Sequence, residues 1–288
     1  MKCLKIGGIT IIMTIGNYYS IWYDSNLVVP ININIRSHCH LLLSGSSGSG
    51  KSISALYMLG KLLQENPNVV IYFVDFKCSE DFIFLKDYAH YYNGENCYQG
   101  IMDYYDAFTK SRENGETLPR HLLIIDEYQA YITYLSGLDK NNKTKYSNDI
   151  LNAVSSILML GRGIGNGFGI WVLVQRTDSN LFQAARDNFM ITIVLGHLSK
   201  EQKQMAFSGE EVPAGRIYKV GEGLAYIDGI GLVEIKYPRI RDIVSWKKHI
   251  LTILLSNPSV AFSHVNPPSV DSIEECLSVA LSKSGGNS

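Results

Sequence analysis

Residues 45–52 of the chain read Gly45-Ser46-Ser47-Gly48-Ser49-Gly50-Lys51-Ser52, the G-x-x-x-x-G-K-S pattern known as Walker A. An apolar run precedes them, His40-Leu41-Leu42-Leu43, and apolar residues at helical spacing follow. In this pattern the glycines let consecutive backbone N–H groups face phosphate oxygens, while the lysine reaches the β and γ phosphates. The final serine hydroxyl is suited to bind magnesium. The stretch therefore predicts a strand, a phosphate-binding loop and a helix around a nucleoside triphosphate.

The predicted contacts with ATP follow the loop into the helix. They are Gly45, Ser46, Ser47, Gly48, Ser49, Gly50, Lys51, Ser52 and Ile53. The alternative is a flexible Ser/Gly linker with a stray lysine. A linker is not expected between two apolar segments, so phosphate binding is the preferred interpretation.

Composition excludes several classes of protein. The 288 residues are 46% hydrophobic and 18% charged, enough for one large α/β core or a core with a small appendage. The net charge of -1 gives no overall basic field, so any nucleic-acid contact must be a local patch. The five cysteines include no C-x-x-C pair, which indicates free thiols in a reducing cytosol. The His38-Cys39-His40 triplet lacks further ligands at recognisable spacing, so no metal site is expected there.

The apolar stretch at residues 6–16 is shorter than the roughly 20 residues that a membrane span needs. It is better interpreted as a strand. A signal peptide is the alternative, because Lys2 and Lys5 precede the apolar residues, but no small-residue cleavage site follows cleanly. We expect a cytoplasmic protein without a membrane span of its own.

The chain divides into three predicted segments. Residues 1–36 alternate apolar and polar side chains and predict a small β segment, residues 37–256 form the nucleotide-binding domain, and residues 257–288 form a flexible tail with a short helix at about 272–281. Within the domain, residues 136–148 are predicted to be an exposed loop that carries Lys140, Lys143 and Lys145.

The domain is predicted to be an α/β fold with a mostly parallel central sheet flanked by helices. A helix is expected over residues 51–64, and buried strands over residues 69–75, 122–126, 169–175 and 190–195. Each of the strands is a nearly continuous apolar run, which is typical of a parallel sheet covered on both faces. Ligands of such sheets bind at the carboxyl ends of the strands.

An acidic pair follows the second of these strands. Asp126 ends the run Leu122-Leu123-Ile124-Ile125, the Walker B form, and is predicted to bind magnesium together with Ser52. Glu127 is predicted to orient or deprotonate the attacking water. The alternative is that the two acids cap the following helix.

Three further side chains are candidates for the chemistry. Gln175 ends a buried strand and is predicted to contact the γ phosphate, although it is also the place where a strand emerges into water. Arg162 lies in a glycine-rich turn and is predicted to reach the nucleotide of a neighbouring subunit; the alternative is a solvated arginine. Arg186 is a second candidate for that role.

Four blocks of sequence, in this order, resemble one family: the motor domain of the FtsK/SpoIIIE DNA translocases, within the HerA/FtsK class of hexameric ATPases. The blocks are residues 37–52, Val74-Asp75-Phe76-Lys77, Ile125-Asp126-Glu127-Tyr128, and Gly161-Arg162-Gly163-Ile164-Gly165 with Val172-Leu173-Val174-Gln175-Arg176. Phe76 and Thr177 stand where the family has proline. We therefore expect a protein similar to the translocases of integrative conjugative elements, without a long membrane-spanning N-terminal region or a clear winged-helix module.

The resemblance implies a RecA-like fold, ATP and Mg²⁺ as cofactors, and a homo-oligomer, a hexameric ring with ATP at the subunit interfaces. It further implies DNA in the channel, and a relaxase or membrane-channel components as partners that bring a cytoplasmic protein to the membrane. Lysine and tyrosine side chains are candidates for DNA contacts, with solvated surface as the alternative. They are Lys77, Lys86, Lys140, Lys143, Lys145, Tyr88, Tyr91, Tyr92, Tyr104 and Tyr105.

Two other functions are open at this point. A P-loop kinase or signalling NTPase would be expected to carry an arginine-bearing lid, and none is recognisable, whereas Glu127 beside Asp126 favours water as the acceptor. A nucleotide-gated scaffold that binds ATP without turnover is disfavoured by intact Lys51, Asp126 and Glu127.

Overall fold

The computed structural model describes residues 12–115, 118–177, 181–213 and 215–261. The strands, in chain order, are β1 Ile12–Tyr18, β2 Pro30–Asn34, β3 His40–Gly45, β4 Val70–Asp75, β5 Tyr91–Asn93, β6 His121–Asp126, β7 Phe168–Val174, β8 Ile191–Leu195, β9 Glu222–Ile227 and β10 Gly231–Lys236. The helices are α1 Tyr19–Ser25, α2 Lys51–Glu65, α3 Cys97–Asn114, α4 Tyr128–Asn142, α5 Tyr146–Leu160, α6 Lys200–Ala206, α7 Ile243–Ser256 and α8 Pro258–Ala261.

All ten strands belong to one sheet, in the order β2-β1-β10-β9-β8-β3-β7-β6-β4-β5. Neighbours from β8 to β5 are parallel, and the pairs from β8 to β2 are antiparallel. Helices flank the sheet. The predicted α/β fold with a mostly parallel sheet and an N-terminal strand pair is therefore confirmed.

The parallel strands form the centre of the hydrophobic core. Every residue of β3, β4, β6 and β7 is buried, which is why their sequences are continuously apolar and do not alternate. The predicted strands agree with the observed ones to within one residue at each end. Because these strands are parallel, the residues that follow β3, β4, β6 and β7 all emerge at one edge of the sheet, the carboxyl edge.

The N-terminal strands extend the sheet at its antiparallel end. In β2, buried isoleucines alternate with exposed residues, as expected for a strand with one solvated face. β1 pairs with β10 through Asn17 and Tyr18, so the small β segment is continuous with the main sheet. Residues 6–11 of the predicted N-terminal strand lie outside the described residues.

The prediction of an exposed loop over residues 136–148 is wrong. Helix α4 continues to Asn142 and α5 begins at Tyr146, with Lys143 at φ 55° in the short turn between them. The Asp139 carboxylate accepts hydrogen bonds from the backbone N–H groups of Tyr146 and Ser147, both at 2.9 Å, and so joins the two helices. The polar residues that suggested a loop are the solvent side of a helix and its cap.

Helix α7 packs on α2, the helix that follows the phosphate-binding loop. The Trp246 indole N–H donates to the Leu56 carbonyl at 2.9 Å, and its ring covers Gly60 so closely that any side chain there would collide with it. Beyond α7, the predicted tail helix at about 272–281 lies outside the described residues. Among the residues described, no helix is both long and apolar enough to cross a bilayer.

Candidate nucleotide-binding site

The G-x-x-x-x-G-K-S stretch forms a tight loop at the carboxyl edge, between the end of β3 and the start of α2. Gly50, the residue before the helix, has φ +96°, a left-handed conformation that glycine adopts without steric cost. At Gly45, a side chain would lie 2.5 Å from the Ser49 hydroxyl and 2.8 Å from the Leu195 carbonyl. The glycines are therefore required by this backbone, which places the loop at the helix N-terminus.

Lys51 is held inside this loop. Its ammonium group donates to the Gly45 carbonyl at 2.6 Å and to the Ser46 carbonyl at 3.3 Å. Burial lowers the pKa of Lys51, and the nearby carboxylates of Glu127 and Asp126 oppose that shift. A cation bound only by backbone carbonyls can exchange them for phosphate oxygens, which are stronger acceptors.

The acidic pair emerges from β6 at the same edge. Asp126 is buried, and burial, together with the charges of Glu127 and Asp75, raises its pKa to about 7. Glu127 has φ 53°, a left-handed conformation that is uncommon outside glycine. As the residue before α4 it makes no side-chain capping hydrogen bond, so helix capping does not account for it. Strained backbone of this kind concentrates at functional sites.

Gln175 follows β7, the strand between β3 and β6, and reaches the acidic pair. Its side-chain N–H group donates to the two carboxylate oxygens of Glu127 at 3.3 and 3.2 Å. Lys51, Asp126, Glu127 and Gln175, all predicted from sequence, thus lie together at one edge.

The two arginine candidates are not part of this cluster. Arg162 lies in a short 3₁₀ turn before β7, at the opposite edge of the sheet. Burial, together with the charge of Arg162, lowers the pKa of His40, the first residue of β3. Arg162 is exposed and cannot reach the loop of its own chain, which lies a strand's length away. Arg186 donates a hydrogen bond to the Met205 carbonyl and is engaged within the chain.

Asp75 is a site residue for which the sequence predicted no role. It ends β4 directly opposite Asp126 in the parallel register, and it is fully buried. One carboxylate oxygen accepts from the Ser79 N–H at 2.9 Å and the Tyr91 hydroxyl at 3.0 Å, while the other has no partner. Burial raises its pKa. The sequence signal, an acid ending a buried strand, is the same as for Asp126.

The residues present fit a triphosphate with magnesium. The Ser49 hydroxyl and one oxygen of Asp75 are buried at the carboxyl edge without hydrogen-bond partners, although buried polar atoms rarely stay unpaired. Ser52, in the first turn of α2, and Asp126 carry side-chain oxygen atoms, the kind of ligand that Mg²⁺ prefers. Among the described residues, no cluster of three or more His, Cys, Asp or Glu side chains could hold a metal ion by itself.

Two of the tyrosines considered for DNA contacts belong to the core. Tyr88 and Tyr104 are buried, and their hydroxyls donate to the carbonyls of Ile71 at 2.8 Å and Gly169 at 2.6 Å. Neither can stack on a base, so that interpretation was wrong for both. The lysines considered are exposed and stay candidates: Lys77, Lys86, Lys140, Lys143 and Lys145.

At the level of sequence, neither a protein-family profile nor a curated protein matches this chain. Solved structures do. The conjugation coupling protein TcpA of pCW3, in a monomer form with ATPγS, is similar with a TM-score of 0.63 and 20% identity, over 88% of this chain and 73% of TcpA.

Two further solved structures share the same architecture. The type VII secretion ATPase EccC of Thermomonospora curvata matches 93% of this chain with a TM-score of 0.63 and 16% identity, and EssC of Geobacillus thermodenitrificans matches 93% with 0.59 and 14%. This chain spans 34% of that EccC chain and 52% of that EssC chain. The chain therefore has the P-loop ATPase fold of these proteins, the fold that its resemblance to the FtsK/SpoIIIE motor domains implied.

Proposed function

We propose that this protein binds ATP with Mg²⁺ and hydrolyses it as the motor of a DNA translocase. One observation carries the proposal of hydrolysis. A buried lysine, two acids and a glutamine, which come from three different strand ends, meet at one edge of the sheet with the glutamine hydrogen-bonded to Glu127. This set of groups supplies what phosphate transfer to water requires.

Each residue has a distinct role in this proposal. Lys51 exchanges its carbonyl partners for the β and γ phosphates, and Glu127 orients the attacking water and accepts its proton. Gln175 fixes the Glu127 carboxylate through the hydrogen bonds already present. Magnesium, held by Ser52 and Asp126, would offset negative charge on the phosphates.

Replacing Glu127→Gln tests the hydrolytic role. We expect ATPγS affinity to change less than about threefold while the turnover rate falls about hundredfold or more, because the amide cannot accept the proton. Glu113→Gln is a matched control, since Glu113 is an exposed acid at the end of α3. Turnover unaffected by Glu127→Gln would remove this residue from the mechanism. ATPγS binding unaffected by Lys51→Ala would overturn the nucleotide site itself.

DNA is the proposed cargo, and a hexameric ring the proposed assembly. The support is the sequence resemblance and the structural similarity to a protein named a conjugation coupling protein. A relaxase or membrane-channel components are the proposed partners, and the cytoplasm, with attachment to the membrane through those partners, the proposed location.

Protein is the second candidate cargo, because one of the similar structures is named a type VII secretion ATPase. ATPase activity with and without single- or double-stranded DNA, at several salt concentrations, separates the two. DNA translocation predicts stimulation that weakens as salt rises, because phosphate contacts release counterions. An ATPase indifferent to DNA at every salt concentration would favour a protein cargo.

The position of Arg162 supports action on a neighbouring subunit, because it lies at the edge opposite its own loop. Subunits with Arg162→Ala are expected to lack activity, as are subunits with Lys51→Ala. Mixing the two should restore part of the activity, because some interfaces then combine an intact loop with an intact arginine. A mixture as inactive as its components would count against a role in trans.

A further inference from the structure

Residues 216–221, the 216–221 loop, show an inverted side-chain pattern. Two polar side chains face inward, whereas Lys219 is exposed: the Arg216 guanidinium donates to the Glu234 carboxylate at 2.8 and 3.2 Å, and the Tyr218 hydroxyl donates to the same group at 2.8 Å. The apolar residues face solvent, with Ile217 81% and Val220 72% exposed. Such exposed apolar side chains are significant where they lie beside a ligand-binding loop.

The same loop is attached to the phosphate-binding loop. The Gly221 N–H donates to the Ser49 carbonyl at 2.9 Å. Val220 lies over Gly50, where the first atom of a side chain would come within 3.2 Å of a Val220 methyl carbon. The Glu222 carboxylate accepts from the Lys219 N–H at 3.0 Å and holds the turn in place. Val220 is therefore fixed beside the N-terminus of α2.

The order of strands gives the direction in which a bound nucleotide runs. Asp126, Glu127 and Gln175 follow β6 and β7, which lie on one side of β3 in the sheet. The γ phosphate must face these groups for hydrolysis. The nucleoside then extends from the loop toward the other side of β3, where β8 and β9 lie. The 216–221 loop precedes β9 at that place.

Ile53 is a second exposed apolar residue beside the phosphate-binding loop. It is 38% exposed and lies three residues beyond Gly50, on the same face of α2. A purine has two apolar ring faces, and aliphatic side chains favour contact with them over water. We infer that Val220 and Ile53 bind the base of the nucleotide whose phosphates occupy the Lys51 loop, an inference that rests on the proposed function.

The occupant is a base rather than a separate ligand for two reasons. The surface is contiguous with the phosphate-binding loop through the Gly221–Ser49 hydrogen bond, and it lies on the side of β3 opposite the catalytic acids. A nucleotide anchored by its phosphates brings its base here without a second binding event. The base would then cover apolar surface that is otherwise in water.

Comparing two ligands tests the inference on the full chain. Affinities of ATPγS and of inorganic tripolyphosphate, each with Mg²⁺, are measured by calorimetry for the wild type and for Val220→Ala. We expect ATPγS to bind about fivefold more weakly to the variant, because part of one apolar contact is lost, and tripolyphosphate to bind equally well. Val220→Ile should retain the wild-type affinity for both. Val244→Ala is a matched control, because Val244 is 73% exposed at the start of α7.

The other possible results separate failure of the base site from failure of the proposed function. Equal ATPγS affinity in the wild type and Val220→Ala, with binding lost in Lys51→Ala, overturns the base site and leaves the proposed function intact. Weakening of both ligands by Val220→Ala also overturns it, because the loop would then support only the phosphate-binding turn. ATPγS binding that survives Lys51→Ala overturns the proposed function first.

Discussion

Buried carboxylates differ between the two halves of the sheet. In the antiparallel half, Glu222 accepts from the Lys236 ammonium at 2.9 Å and Glu234 from the Arg216 guanidinium at 2.8 Å. In the parallel half, Asp75 and Asp126 are equally buried, yet neither takes part in an ion pair within the described residues. Burial raises the pKa of both aspartates.

The contrast separates stabilising charges from functional ones. A buried carboxylate with a cation partner has its desolvation offset within the protein. One without a partner keeps an unfavourable electrostatic energy in the unliganded state, which a bound cation can relieve. Asp75 and Asp126 are of the second kind, so substitutions in the two halves should have opposite effects on stability and activity.

The largest expected effect is that of Asp126→Asn in the parallel half. Hydrolysis should fall about hundredfold or more because the proposed ligand of Mg²⁺ is lost. The free energy of unfolding at neutral pH should stay equal or rise, because a buried amide costs less than a buried carboxylate. Steady-state kinetics and urea unfolding measure the two quantities, with exposed Asp87→Asn as the control. A clear loss of stability would contradict the assignment of Asp126 to the carboxylates that do not stabilise the fold.

Glu222→Gln in the antiparallel half should lower stability and leave phosphate binding unchanged. Losing the charged partner of Lys236 should lower the free energy of unfolding by about 1–2 kcal/mol, a value reduced because the Lys236 side chain is partly exposed. Tripolyphosphate affinity should be unchanged. A double-mutant cycle with Lys236→Met isolates the pair, and a coupling energy near zero would show that the ion pair does not stabilise the fold.

Gln175→Leu tests whether the side-chain amide of Gln175 orients the Glu127 carboxylate. The carboxylate loses its amide donor, so hydrolysis should fall about tenfold while ATPγS affinity is retained. Gln175 is exposed, and the free energy of unfolding should not change. Gln99→Leu, at another exposed glutamine, is the control. Wild-type turnover in Gln175→Leu would mean that Glu127 needs no such support.

The last prediction concerns the pH dependence of stability. The pKa of Asp126 is raised to about 7 in the folded protein, so the folded state binds this proton more tightly than the unfolded state, where the pKa is about 3.9. Its contribution to stability is fully present below the unfolded value and is lost as the pH rises through about 7. The unfolding free energy of the wild type minus that of Asp126→Asn should therefore decrease between about pH 4 and 7. A constant difference would contradict the raised pKa.

The parallel half could be predicted from sequence because its signals are local. Continuous apolar runs give β4, β6, β7 and β8, and the phosphate-binding loop fixes β3 and α2. Because polar residues at the ends of parallel strands share one edge, Lys51, Asp126, Glu127 and Gln175 could be grouped before any coordinates.

The antiparallel half and the remaining site residues depend on long-range pairing. The β9–β10 hairpin was not predicted because Glu222 and Glu234 interrupt its apolar pattern, and their cation partners are brought to them by the fold. Asp75 acquires its position from β4 lying beside β6, a strand order that no local pattern encodes. The left-handed backbone of Glu127 is equally invisible in sequence, because its residue type does not require it.

The contact between Gly60 and Trp246 has a mechanical consequence. The indole ring fills the space of the missing side chain and is hydrogen-bonded to the backbone of α2, so α2 and α7 are packed directly against each other. A displacement of α2, whose first residue is Lys51, would therefore move α7 with it.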